Sequence, residues 1–234
     1  MEQENMPKHL AIIMDGNRRW AKKRGLASNF GHKEGAKTLK KLCKYIEQLG
    51  IPYVSVFAFS TENFKRSKEE VDALMNLFIT MFTKEFHFLL EDGVKIVFSG
   101  KRNPLPEKVL KAMDEMMEKS KNNTKYTFNV CLNYGGQDEL VSATKKLAQK
   151  VQAGELKIEE ITEKTIEENL YQQLPPIDFL IRTSGEYRIS NFMLWQMAYA
   201  EFYFTDVLFP DFDEKQLDIA LEEYQNRNRR FGGA

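Results

Sequence analysis

A single α/β domain, built on a central, mostly parallel sheet of about six strands flanked by helices, is predicted for this chain of 234 residues. Three observations predict it. Short apolar runs alternate with longer segments of helical periodicity, the pattern of strands joined by helical crossovers. Several of the runs are apolar on both faces, as the strands of a buried parallel sheet are. No internal repeat, low-complexity tract or Gly/Ser linker divides the chain, so residues 1–234 read as one domain, with 1–7 expected as a flexible N-terminus and 229–234 as a C-terminal tail.

The expected strands are 9–14 (HLAIIM), 53–59 (YVSVFAF), 94–98 (VKIVF), 126–132 (YTFNVCL) and 178–182 (DFLIR), with 201–205 (EFYFT) as the sixth. Between 32 and 49, Ala36, Leu39, Leu42, Cys43, Ile46 and Leu49 recur at helical spacing, and Gly50 stops the run. A second helix is expected over 67–91, opened by Ser67-x-x-Glu70, a capping-box pattern. Further helices are expected at about 106–121, 137–152, 158–171 and 213–228. Residues 71–90 carry apolar side chains around much of their helix, which suits either a buried core helix or one wall of an elongated apolar cavity, with Phe57, Ala58 and Phe59 beside it.

Lys+Arg and Asp+Glu both number 34, so net charge gives no reason to expect a nucleic-acid partner. Two cysteines, Cys43 and Cys131, do not make a disulfide framework and fit a reducing cytoplasm. The first residues lack a signal-peptide pattern, and no uncharged apolar stretch is long enough to span a bilayer.

The unusual polar residues fall in four places: DGNRRW after the first strand, STENFKR after the second, NYGGQDE after the fourth and RTSGEYRISN after the fifth. All four follow the carboxyl ends of proposed parallel strands, the edge at which open α/β sheets bind ligands. Asp15 is a candidate ligand for a hard cation such as Mg²⁺. Arg18, Arg19, Arg66, Arg182 and Arg188 offer forked donors suited to phosphate, and Gly16, Gly135, Gly136 and Gly185 allow backbone N–H groups to approach an anion. One acid, several arginines and exposed amides describe a diphosphate site, and an adjoining apolar wall suits an isoprenoid diphosphate. Taken singly each piece is ordinary, since Asp-Gly is most often a turn and loop arginines are usually solvated. The three histidines lack zinc spacing, and the sequence contains no G-x-S-x-G, Walker or G-x-G-x-x-G motif. Without more, the residues point to a generic phosphate-binding or phosphotransfer domain.

Five segments carry a more specific signal. HLAIIMDGNRRWA with GHKEGA, FAFSTENFKR, LNYGGQDE, and IRTSGEYRISNFMLWQMAYAEFYFTDVLFPDF resemble, in order, the motifs of the cis-prenyltransferases, especially the bacterial members that make undecaprenyl diphosphate. The resemblance runs from about residue 8 to RRFGG at 229–233, and the paired DDxxD motifs of the all-α trans-prenyltransferases are absent. It implies Mg²⁺-dependent, sequential condensation of isopentenyl diphosphate onto an allylic diphosphate such as farnesyl diphosphate, giving a long cis-polyprenyl diphosphate that serves as the lipid carrier precursor for cell-wall synthesis. It further implies a homodimer, cytoplasmic and loosely associated with the membrane. Asp15 is then the central catalytic and Mg²⁺-linked residue, and Glu201 a second Mg²⁺-linked acid. Gly16, Asn17, Arg18, Arg19, Trp20 and His32 hold the allylic substrate. Ser60, Thr61, Glu62 and catalytic Asn63 form a loop with Phe64 and Arg66, and Arg182, Arg188, Ile189 and Ser190 bind isopentenyl diphosphate. Arg230 and the tail glycines reach the partner subunit. Asn63 is the residue the resemblance offers as proton acceptor, yet a neutral amide suits orientation better, and the diphosphate or Asp15 is the better base. Arg18, Ser28, Phe64, Ser67 and Gln137 stand where Gly, Arg, Trp, Pro and Arg are usual. The remaining alternative is a non-catalytic partner subunit of a heteromeric enzyme.

Overall fold

A computed structural model describes residues 6–227. Six strands form one sheet: β1 (His9–Ile13), β2 (Tyr53–Ser60), β3 (Lys95–Ser99), β4 (Thr127–Tyr134), β5 (Phe179–Arg182) and β6 (Glu201–Phe204). Their order is β3-β4-β2-β1-β5-β6, and every pairing is parallel. The predicted sheet is therefore present, with all six strands. After β4 the chain jumps to the other side of β1, so the β1/β5 boundary is a topological switch point.

The helices are α1 (Asn17–Lys23), α2 (Ser28–Leu49), α3 (Lys68–Thr80), α4 (His87–Glu91), α5 (Glu107–Ser120), α6 (Gly136–Gln152), α7 (Glu163–Glu167) and α8 (Glu214–Gln225). Four differ from expectation. The segment after Asp15 forms the helix α1, which was not expected. It packs closely on α2, where a Cβ on Gly31 would lie 1.9 Å from the Asn17 carbonyl oxygen and one on Gly35 would lie 2.2 Å from the Asn17 side-chain oxygen. Helix α2 begins at Ser28, so His32 sits in its second turn and does not open it. The helix expected over 67–91 breaks into α3, a π turn (Met81–Glu85) and α4; the wider turn keeps Phe82 and Phe86 buried with Phe78. The helix expected over 158–171 reduces to α7 and one 3₁₀ turn (Ile158–Glu160), because the Thr162 side chain accepts from the Thr165 N–H and starts a new helix. Met6 and Pro7, expected in a flexible N-terminus, are respectively half-buried against the core and buried.

The larger apolar core lies between the sheet and α2, α3, α5 and α8, and a smaller one lies on the opposite face around Tyr134 and Phe192. A polar chain crosses four strands inside it. His9 Nδ1 donates to the Pro175 carbonyl (2.8 Å), which can only accept, so Nε2 accepts from the Ser55 hydroxyl (2.8 Å). Asn129 donates to Ser55 (3.0 Å) and accepts from Ser99 (2.8 Å). Burial lowers His9 to about 4, the Pro175 carbonyl and Asp178 partly opposing. The unfolded chain binds this proton more readily, so the stabilisation is complete above pH 6.5 and is lost as pH falls towards 4. Urea unfolding should therefore lose roughly 3 kcal/mol to this residue across that window, and His9→Gln should flatten the profile by about one proton near pH 5.

Candidate active site

Asp15 stands two residues beyond β1, and its backbone is fixed before its side chain acts. Its N–H donates to the Ile13 carbonyl and to Thr183 Oγ (3.0 Å each), while the Thr183 hydroxyl donates to the Asp15 carbonyl (2.7 Å). Gly16 follows with φ +102°, and a Cβ there would meet Ser184 and Leu208 at 2.9 Å, so this turn requires glycine. Register places Arg182 opposite Ile13. From that position Arg182 Nη2 donates to Asp15 Oδ2 (3.0 Å), and Nη1 donates to Ser190 Oγ (2.7 Å) and to the Arg188 carbonyl. Arg19 lies 3.7 Å from Asp15 Oδ1, pairs with Glu186 (3.1 Å) and donates to the Ser184 carbonyl (2.8 Å).

A second charged group faces this one. Glu70 Oε1 lies 2.9 Å from Arg66, 3.7 Å from Arg18 and 3.8 Å from His32. Ser67 Oγ accepts the Glu70 N–H (3.3 Å), but the Glu70 side chain turns towards the two arginines and His32, so only half of the expected capping box forms. Burial, then the Arg66 cation, lowers His32 to about 4, with Glu70 partly opposing. Among the described residues, four buried side-chain polar atoms lack a hydrogen-bond partner, and three of them, on Asn17, His32 and Arg182, border this space. Unpaired buried polar atoms are costly, and their clustering marks a site completed by a ligand.

The space is a cavity of about 660 Å³. Asp15, Asn17, His32, Ser60, Glu62, Asn63, Arg66, Arg182, Arg188 and Ser190 form its polar end. Ala36, Leu39, Leu74, Phe78, Met81, Phe82 and Phe86 form its apolar end, with Phe57, Ala58 and Phe59 also on its wall. The 71–90 region is thus both core and cavity wall. A neighbouring recess of about 670 Å³ is bordered by Asp15, Gly16, Arg18, Arg19, Lys22, His32 and Arg66.

Not every expected residue converges. Ile189 packs on the smaller core, and Phe64 stands edge-on to Phe59 (4.9 Å) outside the cavity lining. Thr61 approaches Gly135, and Trp20 donates to Asp211 (2.7 Å) beneath the Arg24 guanidinium (4.0 Å). Glu201 is not beside Asp15 in this chain. It begins β6, three positions before the residue paired with Arg182, which places it ~15 Å or more from Asp15 at strand spacing. There it pairs with Arg227 (2.9 Å). Arg230 and the tail lie outside the described residues. The N-terminal end of α2 lies at Ser28, one turn before His32.

The undecaprenyl diphosphate synthase family model, a prenyltransferase family, matches residues 13–232. The chain belongs to this prenyltransferase family. It is 50% identical to an isoprenyl transferase of Fusobacterium nucleatum over 99% of this chain and 98% of that one. It is 44% identical to the ditrans,polycis-undecaprenyl-diphosphate synthase ((2E,6E)-farnesyl-diphosphate specific) of Pasteurella multocida, over 100% and 98%. The crystal structure of lavandulyl diphosphate synthase from Lavandula x intermedia, in complex with dimethylallyl diphosphate, superposes with a TM-score of 0.95 at 39% identity, covering 98% of this chain and 99% of that one.

Sequence reasoning passed over Asn191 in this prenyltransferase. Its backbone is left-handed (φ 61°), its carbonyl accepts from Gly136 N–H (2.7 Å) and its side chain accepts from Gln137 N–H (2.9 Å). Burial raises the Glu62 carboxyl, but hydrogen bonds from its own N–H and from Ser60, Thr61 and Asn191 outweigh that and hold it below the usual range. Asn191 thus ties three of the four polar segments together. Its signal was available, since Asn tolerates the left-handed region better than other non-glycine residues. In the sequence, Glu70 matches only a capping pattern. With Glu70 occupying the point where the Arg66 and Arg18 cations and the neutral His32 imidazole converge, Glu70→Gln should bind inorganic diphosphate roughly fivefold to tenfold more tightly by calorimetry; weaker binding would show instead that the carboxylate holds the arginines in place.

Proposed function

We propose that the chain condenses isopentenyl diphosphate sequentially onto an allylic diphosphate, with farnesyl diphosphate as primer, to give a long cis-polyprenyl diphosphate of undecaprenyl type. One observation carries this reading: a cationic rim with unsatisfied polar atoms opens directly onto a phenylalanine-lined cavity. A nucleotide or sugar phosphate would leave that apolar end unused. The Pasteurella relative's name specifies farnesyl diphosphate, and the lavender enzyme was crystallised with an allylic diphosphate.

Among the described residues no group of three or more acids, histidines or cysteines forms a metal cage. A single half-buried carboxylate, Asp15, fits Mg²⁺, which takes one or two protein carboxylates and completes its shell with phosphate oxygens and water. When bound with substrate, the ion would supply charge neutralisation on the departing diphosphate.

The chain's own residues do the rest. Arg18, Arg19, His32 and Arg66, with the Gly16 and Asn17 backbone, receive the allylic diphosphate and stabilise the charge that builds on it as the C–O bond ionises. Arg182, Arg188 and Ser190 hold isopentenyl diphosphate on the other side of Asp15, and Asn63, whose side-chain oxygen accepts from the Ser60 N–H (3.1 Å), orients the loop between them. The nucleophile is an alkene with little intrinsic reactivity, so positioning contributes much of the acceleration. The proton lost at the end of each addition passes to the diphosphate or to Asp15. The enzyme is proposed to act as a homodimer in the cytoplasm, loosely associated with the membrane that receives its product. The alternative, a non-catalytic partner subunit, is disfavoured by the paired Asp15 and Arg182 with Asn63 and Arg188 at one cavity.

Purified protein incubated with farnesyl diphosphate, labelled isopentenyl diphosphate, Mg²⁺ and detergent should yield long-chain lipid, sized after extraction. Asp15→Ala should lower the rate by about 10³-fold or more; because it also strips the buried Arg182 guanidinium of its carboxylate it should lower the melting temperature, so circular dichroism at the assay temperature accompanies the rate measurement. Absence of lipid product from folded wild-type protein would move the assignment to the non-catalytic subunit.

A further inference from the structure

The charge balance of the chain conceals a strong local asymmetry. Residues 22–44 carry eight Lys and Arg side chains against one acid, Glu34. On α2, Lys33, Lys37, Lys40 and Lys44 follow at alternating spacings of four and three, which sets them in one stripe along the helix. Lys40 and Lys44 lie over the Phe88 ring at 5.6 and 5.0 Å. Glu34 answers Lys37 (2.6 Å), Glu85 answers Lys40 (2.9 Å) and Asp211 answers Arg24 (3.4 Å), which leaves a clear cationic surplus. Just ahead of the stripe, Leu26 and Phe30 are 42% and 49% exposed.

Beside the stripe a groove of about 940 Å³ runs between α2 and α3, with Glu69 and Glu70 on its far wall. His32, Ala36, Leu74, Leu77 and Met81 border both this groove and the inner cavity, so a single layer of side chains separates them here.

We infer that this face docks on an anionic lipid bilayer, with the α2 lysines against the head groups and Leu26 and Phe30 entering the interface. The inference rests on the proposed synthesis of a lipid diphosphate and names the surface that meets its destination. Charge complementarity selects the occupant. A cationic stripe next to exposed apolar side chains matches anionic head groups over acyl chains, whereas a nucleic acid would leave Leu26 and Phe30 without a partner. The docked orientation turns the α2/α3 groove, which shares lining residues with the cavity, towards the lipid.

The test is co-sedimentation with phosphatidylcholine vesicles prepared with and without phosphatidylglycerol, alongside duplex RNA as a competing polyanion. Wild-type protein should bind the anionic vesicles and be released by salt. Lys33→Gln/Lys37→Gln/Lys44→Gln should weaken binding by about fivefold per lysine, with detergent-assay synthesis intact. Phe30→Ser should weaken binding without changing its salt dependence. Equal binding to both vesicle types, wild-type binding by the lysine variant, or retention by RNA but not by vesicles would each overturn the inference. Synthesis in detergent by wild-type protein that ignores vesicles overturns this surface alone. Vesicle binding through it without any synthesis overturns the functional reading and leaves the surface standing.

Discussion

The site depends on one ion pair, that between Arg182 at the end of β5 and Asp15 just past the end of β1. The Arg182 side chain is only 4% exposed, and a guanidinium so deeply placed must have its partners supplied. It takes Asp15, Ser190 and the Arg188 carbonyl. Satisfying it therefore folds the segment after β5 back over the end of the strand. That return requires left-handed backbone at Ser184, Ser190, Asn191 and Met193, none of them glycine. Each such residue costs on the order of 1 kcal/mol, and the hydrogen bonds around Arg182, together with those Asn191 makes to α6, offset the cost. Parallel pairing of β1 with β5 is what brings acid and base to one point from residues 167 positions apart.

Much of this arrangement was legible because it follows from periodicity. Apolar runs located all six strands, and the placement of four polar segments after strand ends located the crevice, since strand direction in a parallel sheet dictates which ends share an edge. What was illegible depends on side chains competing with the backbone or on contacts between distant elements. Thr162 interrupts a continuous helical pattern by capping the next turn, and the π turn at Met81–Glu85 follows from how Phe78, Phe82 and Phe86 share the core, neither of which a hydrophobic pattern encodes. The glycines at 31 and 35 look unfavourable in a helix until Asn17 is seen lying against them. Glu70 matched a capping motif and instead serves the cations of another element. Glu201 matched a family position, but strand register places it towards the opposite end of the sheet from Asp15.

The cavity joins two kinds of chemistry whose energetics scale differently. At its polar end, the proposed diphosphate site would offer the same charges whatever the length of the attached chain. At its apolar end, Phe78, Phe82 and Phe86 accept hydrocarbon, and burial contributes about 0.8 kcal/mol per methylene removed from water. On the proposed reaction, each five-carbon addition therefore deepens the binding of its own product until the 660 Å³ cavity is filled. Beyond that point further carbon must press apart the wall between α2 and α3 or enter the groove outside it, where water makes its exposure unfavourable. A growing lipid would thus be held more tightly at first, and once the cavity is full each further addition would gain no more burial. Release needs an apolar phase at the outer end of that path, because transfer from cavity to water reverses all of the burial while transfer to a bilayer reverses very little. In the proposed docking, the α2/α3 groove would meet that apolar phase at the bilayer surface.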